Sequence, residues 1–94
     1  MNIFDDLVRL ARERKANPVD GSYTNKLLSD KTLSKSKVLE EINELIESVE
    51  NDSNKIHEAA DVLYHLVMFL EANDIKIEDV ITVSYTHLTL PTKA

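Results

Sequence analysis

Val38-Leu39-Glu40-Glu41-Ile42-Asn43-Glu44-Leu45-Ile46-Glu47-Ser48-Val49, then Asn51-Asp52-Ser53-Asn54, then Lys55-Ile56-His57-Glu58-Ala59-Ala60-Asp61-Val62-Leu63-Tyr64-His65-Leu66: two helical patterns flank a turn. Val38, Ile42, Leu45, Ile46 and Val49 recur at the three- and four-residue spacing of an amphipathic helix, predicted over about Lys35 to Glu50. Ile56, Ala59, Val62, Leu63, Leu66, Phe69 and Leu70 give a second stripe, and the helix is predicted over about Lys55 to Ala72. Val67 and Met68 make it apolar nearly all round, which suits a central or subunit-interface helix. The polar turn between them folds the pair back on itself as an antiparallel hairpin.

The same two stretches carry four acids. At about 100° per residue, Glu44 lies about 300° round from Glu41, and Asp61 lies about 300° round from Glu58. Glu41 and Asp61 are equidistant from position 51 in the turn, and so are Glu44 and Glu58. Folding there sets both pairs level and on one face of the hairpin. Either the acids are the solvated sides of two amphipathic helices, or they form a cluster that needs a counter-ion. Hard oxygen donors in such a cluster suit Mg²⁺, with Mn²⁺ as an alternative.

Outward from the hairpin, Ile3 to Lys15 read as an amphipathic first helix, stopped by Pro18 and Gly21. Ser22 can cap a short helix over about Tyr23 to Ser29. The polar, Ser/Lys-rich run Ser29 to Ser36 reads as a loop. Asn73-Asp74 ends the second long helix, and a last short helix starts near Ile77. Val83 to Ala94 continue no helical periodicity and resemble the reading-frame translation of a transposase sequencing adapter. The expectation is therefore a domain over residues 1–82, cut short near Ile81 or Thr82, with a non-native or disordered tail over 83–94. Tyr85 and His87 receive no functional weight.

Composition agrees with an all-α chain. In 94 residues there are one Gly, two Pro and no Cys. Few turn formers argue against a sandwich or barrel, and the missing thiols exclude disulfides and thiolate chemistry. Seventeen acidic against eleven basic residues give a net charge of −6, which argues against nucleic-acid and acidic-membrane partners. No apolar run reaches the ~20 residues of a membrane span, and the acidic start Met1-Asn2-Ile3-Phe4-Asp5-Asp6 is no signal peptide. A cytoplasmic protein is expected. A chain so short with 43% hydrophobic residues is also expected to bury its surplus against a second copy, as a homodimer.

The acid spacing, Glu40-Glu41-x-x-Glu44 followed by Glu58-x-x-Asp61, resembles the signature of the MazG-type all-α nucleotide pyrophosphohydrolases. Gly21-Ser22-Tyr23-Thr24-x-Lys26-Leu27-Leu28, Lys37-Val38-x-Glu40-Glu41, Glu58-Ala59-Ala60-Asp61-Val62-Leu63-Tyr64-His65-Leu66 and Ile77-Glu78-Asp79-Val80 are similar to four ordered blocks of one branch, the phosphoribosyl-ATP pyrophosphohydrolases. The resemblance covers about residues 3 to 81. Leu39 stands where that family usually has Gly, and Leu45-Ile46-Glu47-Ser48 replaces an Ala/Val-rich segment.

The resemblance implies an antiparallel helical bundle completed by dimerisation. It implies Mg²⁺-dependent hydrolysis of phosphoribosyl-ATP to phosphoribosyl-AMP and pyrophosphate in histidine biosynthesis. Carried onto matching positions, Glu41, Glu44, Glu58 and Asp61 hold the metal and Glu40 assists as ligand or base. Lys37 neutralises the departing pyrophosphate or holds a carboxylate. Ser22, Tyr23, Thr24 and Lys26 contact substrate, although capping and packing account for the first three equally well. His65 reads as a structural or interface histidine and Tyr64 as interface or core. The competing readings are a MazG-like enzyme acting on another nucleoside triphosphate, and a non-catalytic helical interaction module.

Overall fold

The computed structural model describes residues 2–89, which form five helices and no strand. They are α1 (Ile3–Ala16), α2 (Tyr23–Ser29), α3 (Lys31–Glu50), α4 (Lys55–Ala72) and α5 (Ile77–Thr89). The first three start on side-chain caps. The Asn2 side chain accepts from Phe4 N, that of Ser22 from Asn25 N, and that of Asp30 from Leu33 N. Each such cap satisfies a backbone donor that the helix itself cannot, a contribution of about 1 kcal/mol. Asp5 and Asp6 at the start of α1, and Arg14 and Lys15 at its end, complement the helix dipole. Gly21 (φ 77°) turns the chain into α2 with a backbone that a side chain would strain.

Asp30 corrects the sequence reading. It closes α2 and caps α3 at once, so α3 starts at Lys31 and the expected loop over Ser29 to Ser36 is mostly its first two turns. That segment is polar but keeps the helical period: Ser34 lies one turn before Val38, and both are buried. The turn over residues 51–54 stands where it was expected. Asp52 and Asn54 take left-handed backbone (φ 52° each), a conformation that Asn and Asp tolerate better than most residues. The Ser53 amide bonds the Ser48 carbonyl at 2.9 Å, closing the end of α3.

The other departure is at the end of the chain. Helix α5 runs through Val83 to Thr89, where a non-helical tail was expected. The hydroxyls of Thr82, Ser84 and Thr86 each bond the carbonyl four residues back, so these polar residues are accommodated on the helix. Val83, Tyr85 and Leu88 are exposed. Residues 90–94 lie outside the described ones.

Helices α3 and α4 form the antiparallel hairpin, and α1 and α2 pack on α4. The core joins Val8 and Ala11 of α1, Leu27 and Leu28 of α2, Val67 and Met68 of α4, and Ile77 of α5. Met68 is fully buried, and Met68→Ala would cost about 2–5 kcal/mol. The sequence stripes turn out to be only partly core. On α4 the deepest apolar residues are Val67 and Met68, while Ile56 is 89% exposed and Leu63 and Leu66 are also exposed. On α3 Val38 is buried, but Ile42, Ile46 and Val49 are exposed. Apolar periodicity identifies a surface that avoids water; it does not say whether the same chain covers it.

Candidate active site

The hairpin brings acids of α3 and α4 together at its seam. One carboxylate oxygen from each of Glu41, Glu44 and Glu58 lies within 4.8 Å of the others, and His57, Glu58 and Asp61 form a second such group sharing Glu58. Glu41 and Glu44 are one turn apart on α3, and Glu58 and Asp61 one turn apart on α4. The four therefore bridge the seam of the hairpin.

The cluster is electrostatically strained. The Glu41 side chain is only 13% exposed. Burial pushes its carboxyl up to about 7, helped by a hydrogen bond with Glu44 and by the charges of Glu44, Asp61 and Glu58. Glu58 is raised for the same reasons, burial first and Glu44 next. The Glu58 Oε2 atom is buried with no hydrogen-bond partner among the described residues. No described lysine or arginine pairs with Glu41, Glu44, Glu58 or Asp61. Converging hard oxygens, a raised carboxyl and an orphaned carboxylate oxygen together fit a hard divalent cation such as Mg²⁺ or Mn²⁺.

The other candidates divide. Glu40 is not in the cluster; its half-exposed carboxylate takes Lys37 Nζ at 3.1 Å. That bond raises the Lys37 pKa and leaves the ammonium holding Glu40. Ser22 is engaged structurally, accepting from Asn25 N at 3.2 Å and from Arg14 Nη1 at 2.9 Å. Thr24 is buried and bonds the Tyr64 hydroxyl. Tyr23 is 41% exposed and its hydroxyl meets His65 Nε2 at 2.8 Å. Lys26 is exposed and makes no ion pair among the described residues.

Two histidines were not singled out for the site. His57 Nε2 sits 3.4 Å from Asp61 Oδ2, a pairing signalled only by its four-residue spacing on α4. His65 is buried, and its Nδ1 lies 2.7 Å from the Asp61 carbonyl and 4.0 Å from Glu41 Oε1. Its bond to Tyr23 crosses 42 positions of chain, beyond the reach of any local pattern.

A wider ionic network lies elsewhere, where α1 meets α4 and α5. Arg12 bonds Glu78 at 2.7 and 2.9 Å and Glu71 at 3.3 Å, and Lys15 bonds the Glu71 carbonyl. The Arg12 guanidinium holds the Glu78 carboxyl down at about 2.

Known proteins resemble this chain along most of its length. Residues 4–83 match the family model described as phosphoribosyl-ATP pyrophosphohydrolase. The chain is 40% identical over 83 residues to a phosphoribosyl-ATP pyrophosphatase of Clostridium acetobutylicum, covering 83% of this chain and 74% of that one. It is 40% identical over 87 residues to a protein of the same name from Ruegeria, covering 88% and 82%. It is 38% identical over 85 residues to a histidine biosynthesis bifunctional protein of Caldanaerobacter subterraneus, covering 85% of this chain and 40% of that longer one. The carboxylate hairpin and the match along nearly its whole described length agree: this chain belongs to the phosphoribosyl-ATP pyrophosphohydrolase family.

Proposed function

We propose that the protein hydrolyses phosphoribosyl-ATP to phosphoribosyl-AMP and pyrophosphate, in histidine biosynthesis and in the cytoplasm. The observation that carries the reading is the gathering of Glu41, Glu44 and Glu58 oxygens within 4.8 Å, with Glu58 Oε2 unpartnered, in a member of this family.

Glu41, Glu44, Glu58 and Asp61 would hold Mg²⁺. Bound there, the ion supplies charge neutralisation at the phosphate oxygens and lowers the pKa of a coordinated water. The chain's own residues do the rest. Glu40, next to Glu41 on α3 but outside the metal cluster, is the carboxylate left to assist, as a further ligand or as the base that an attacking water requires. Lys37 fixes Glu40 and supplies a positive charge beside the acids, where it would offset charge on the departing pyrophosphate. Tyr23, a partly exposed side chain, offers a contact to the nucleotide. Hydrolysis of the α–β anhydride consumes one water and releases pyrophosphate.

The same reading includes a homodimer. Ile42, Ile46 and Val49 of α3 and Leu63 and Leu66 of α4 are exposed on the hairpin, and a second copy offers the same surface in return.

The test is pyrophosphate release from phosphoribosyl-ATP beside a panel of ordinary nucleoside triphosphates, with and without Mg²⁺. Mg²⁺-dependent turnover of phosphoribosyl-ATP, lost in Glu58→Gln, is expected. Turnover confined to ordinary triphosphates would replace the substrate, and activity insensitive to Mg²⁺ and to Glu58→Gln would overturn the site.

A further inference from the structure

Helix α2 is fastened to α4 by a pair of adjacent side-chain bonds. Tyr23 meets His65, and Thr24 meets Tyr64. The three rings pack together: Tyr64 and His65 edge to face at 5.0 Å, Tyr23 and His65 at 5.7 Å, and Tyr23 stacked on Tyr64 at 6.5 Å. Thr24 and His65 are buried, yet Tyr23 remains 41% exposed. A single imidazole spans the gap between the Tyr23 hydroxyl and the Glu41 carboxylate.

The direction of these bonds follows from the backbone. The Asp61 carbonyl can only accept, so the His65 Nδ1 facing it at 2.7 Å carries the proton. In the neutral ring Nε2 is then an acceptor, and the Tyr23 hydroxyl donates to it. The tyrosine has one proton and it is committed to His65. To any further partner its oxygen presents only lone pairs. An ionised phosphate also presents only lone pairs, so this oxygen is wrong for the phosphate end of a nucleotide. It is right for a group that donates, a ribose hydroxyl or an exocyclic amine.

We infer that His65 is a positioning residue: by holding the Tyr23 proton it turns the Tyr23 hydroxyl into a fixed acceptor for a donor group on the nucleoside part of the substrate. The inference rests on the proposed activity and assigns that site a nucleoside-facing contact distinct from the carboxylates that face the phosphates.

The experiment is steady-state kinetics of the full chain on phosphoribosyl-ATP with Mg²⁺, for wild type, Tyr23→Phe, His65→Leu, His65→Gln and the Tyr23→Phe/His65→Leu double variant. Losing one neutral hydrogen bond raises KM about 5–10-fold, with kcat nearly held, the pattern of a contact made equally in ground and transition states. His65→Leu should raise KM as Tyr23→Phe does, and the double variant no further, because the two side chains act as one unit. His65→Gln, whose side-chain carbonyl can accept from the tyrosine, should restore a KM near wild type. An unchanged KM in Tyr23→Phe overturns the inference, as does a His65→Gln variant that folds and yet matches His65→Leu. If His65→Leu does not fold, Tyr23→Phe and His65→Gln decide the matter, since one is half exposed and the other keeps an acceptor. A wild-type protein that turns over no phosphoribosyl-ATP removes the underlying activity instead, which is a distinct result.

Discussion

On α3 a glutamate is better covered than an isoleucine. The Glu41 side chain is 13% exposed, whereas Ile46, little more than one turn further along, is 52% exposed. An isolated domain optimised only for folding would reverse the two, because a buried unpaired charge is costly and exposed apolar surface forgoes stabilisation. The acid side of the hairpin concentrates charge at the seam and raises the Glu41 carboxyl to about 7. The other side leaves Ile42, Ile46 and Val49 uncovered. Each side is unsatisfied alone, the first for want of opposite charge and the second for want of apolar contact.

The sharpest way to break this contrast is Glu41→Gln. Removing a carboxylate from the cluster should lower Mg²⁺-dependent activity by about 100-fold or more. The same change relieves like-charge repulsion, so the metal-free protein should melt higher, by roughly 4–8 °C if relief is worth about 1 kcal/mol. Calorimetry without Mg²⁺ checks this. A falling Tm would mean that Glu41 is structural.

The apolar side is tested by Ile46→Glu. A charge at the centre of a self-facing surface should turn a dimer into a monomer by analytical ultracentrifugation. A wild-type protein already monomeric at micromolar concentration would remove the homodimer from the reading.

Acidity separates the two sides more gently. The Glu41 carboxyl titrates near 4.5 when unfolded and near 7 when folded, so the folded metal-free state binds more protons between those values. The Glu41 contribution to stability without Mg²⁺ should therefore be greatest below about 4.5 and fall as pH rises toward about 7. Glu78 has the opposite sign. Its carboxyl is held at about 2 by Arg12, so its contribution is present above about 4.5 and lost as pH falls toward 2. Melting temperature against pH, repeated for Glu41→Gln, isolates the first slope, which that variant should abolish. The smallest effect is expected from Arg12→Gln, which releases Glu78 and Glu71. A slightly lower Tm with unchanged kcat would place that network in the framework and outside the site.

The sequence makes much of this legible. Turn residues at 51–54 and two helical periods suffice to bring four distant acids to one seam, because helix geometry converts spacing into direction. What escapes is whatever depends on a single cap or on another element. Asp30 outweighs the Ser/Lys composition around it and starts α3 at Lys31. The uncovered stripe on α3 has the same pattern as a core stripe, since periodicity registers aversion to water and not the identity of the covering group. Lys37 claims Glu40 through a three-residue spacing that equally well suits a lone surface lysine. The Tyr23–His65 bond depends on how α2 docks, and no spacing encodes it.

The hairpin that carries the acids is one uninterrupted stretch of chain, and that bears on how the protein is assembled. Contacts between α3 and α4 join neighbours across a four-residue turn, and such local topology belongs to chains that fold in microseconds to milliseconds. The carboxylate cluster is therefore not the last thing to be put together from remote parts. Its geometry is set within one hairpin, by a turn and two helical repeats, and not by the docking of distant segments.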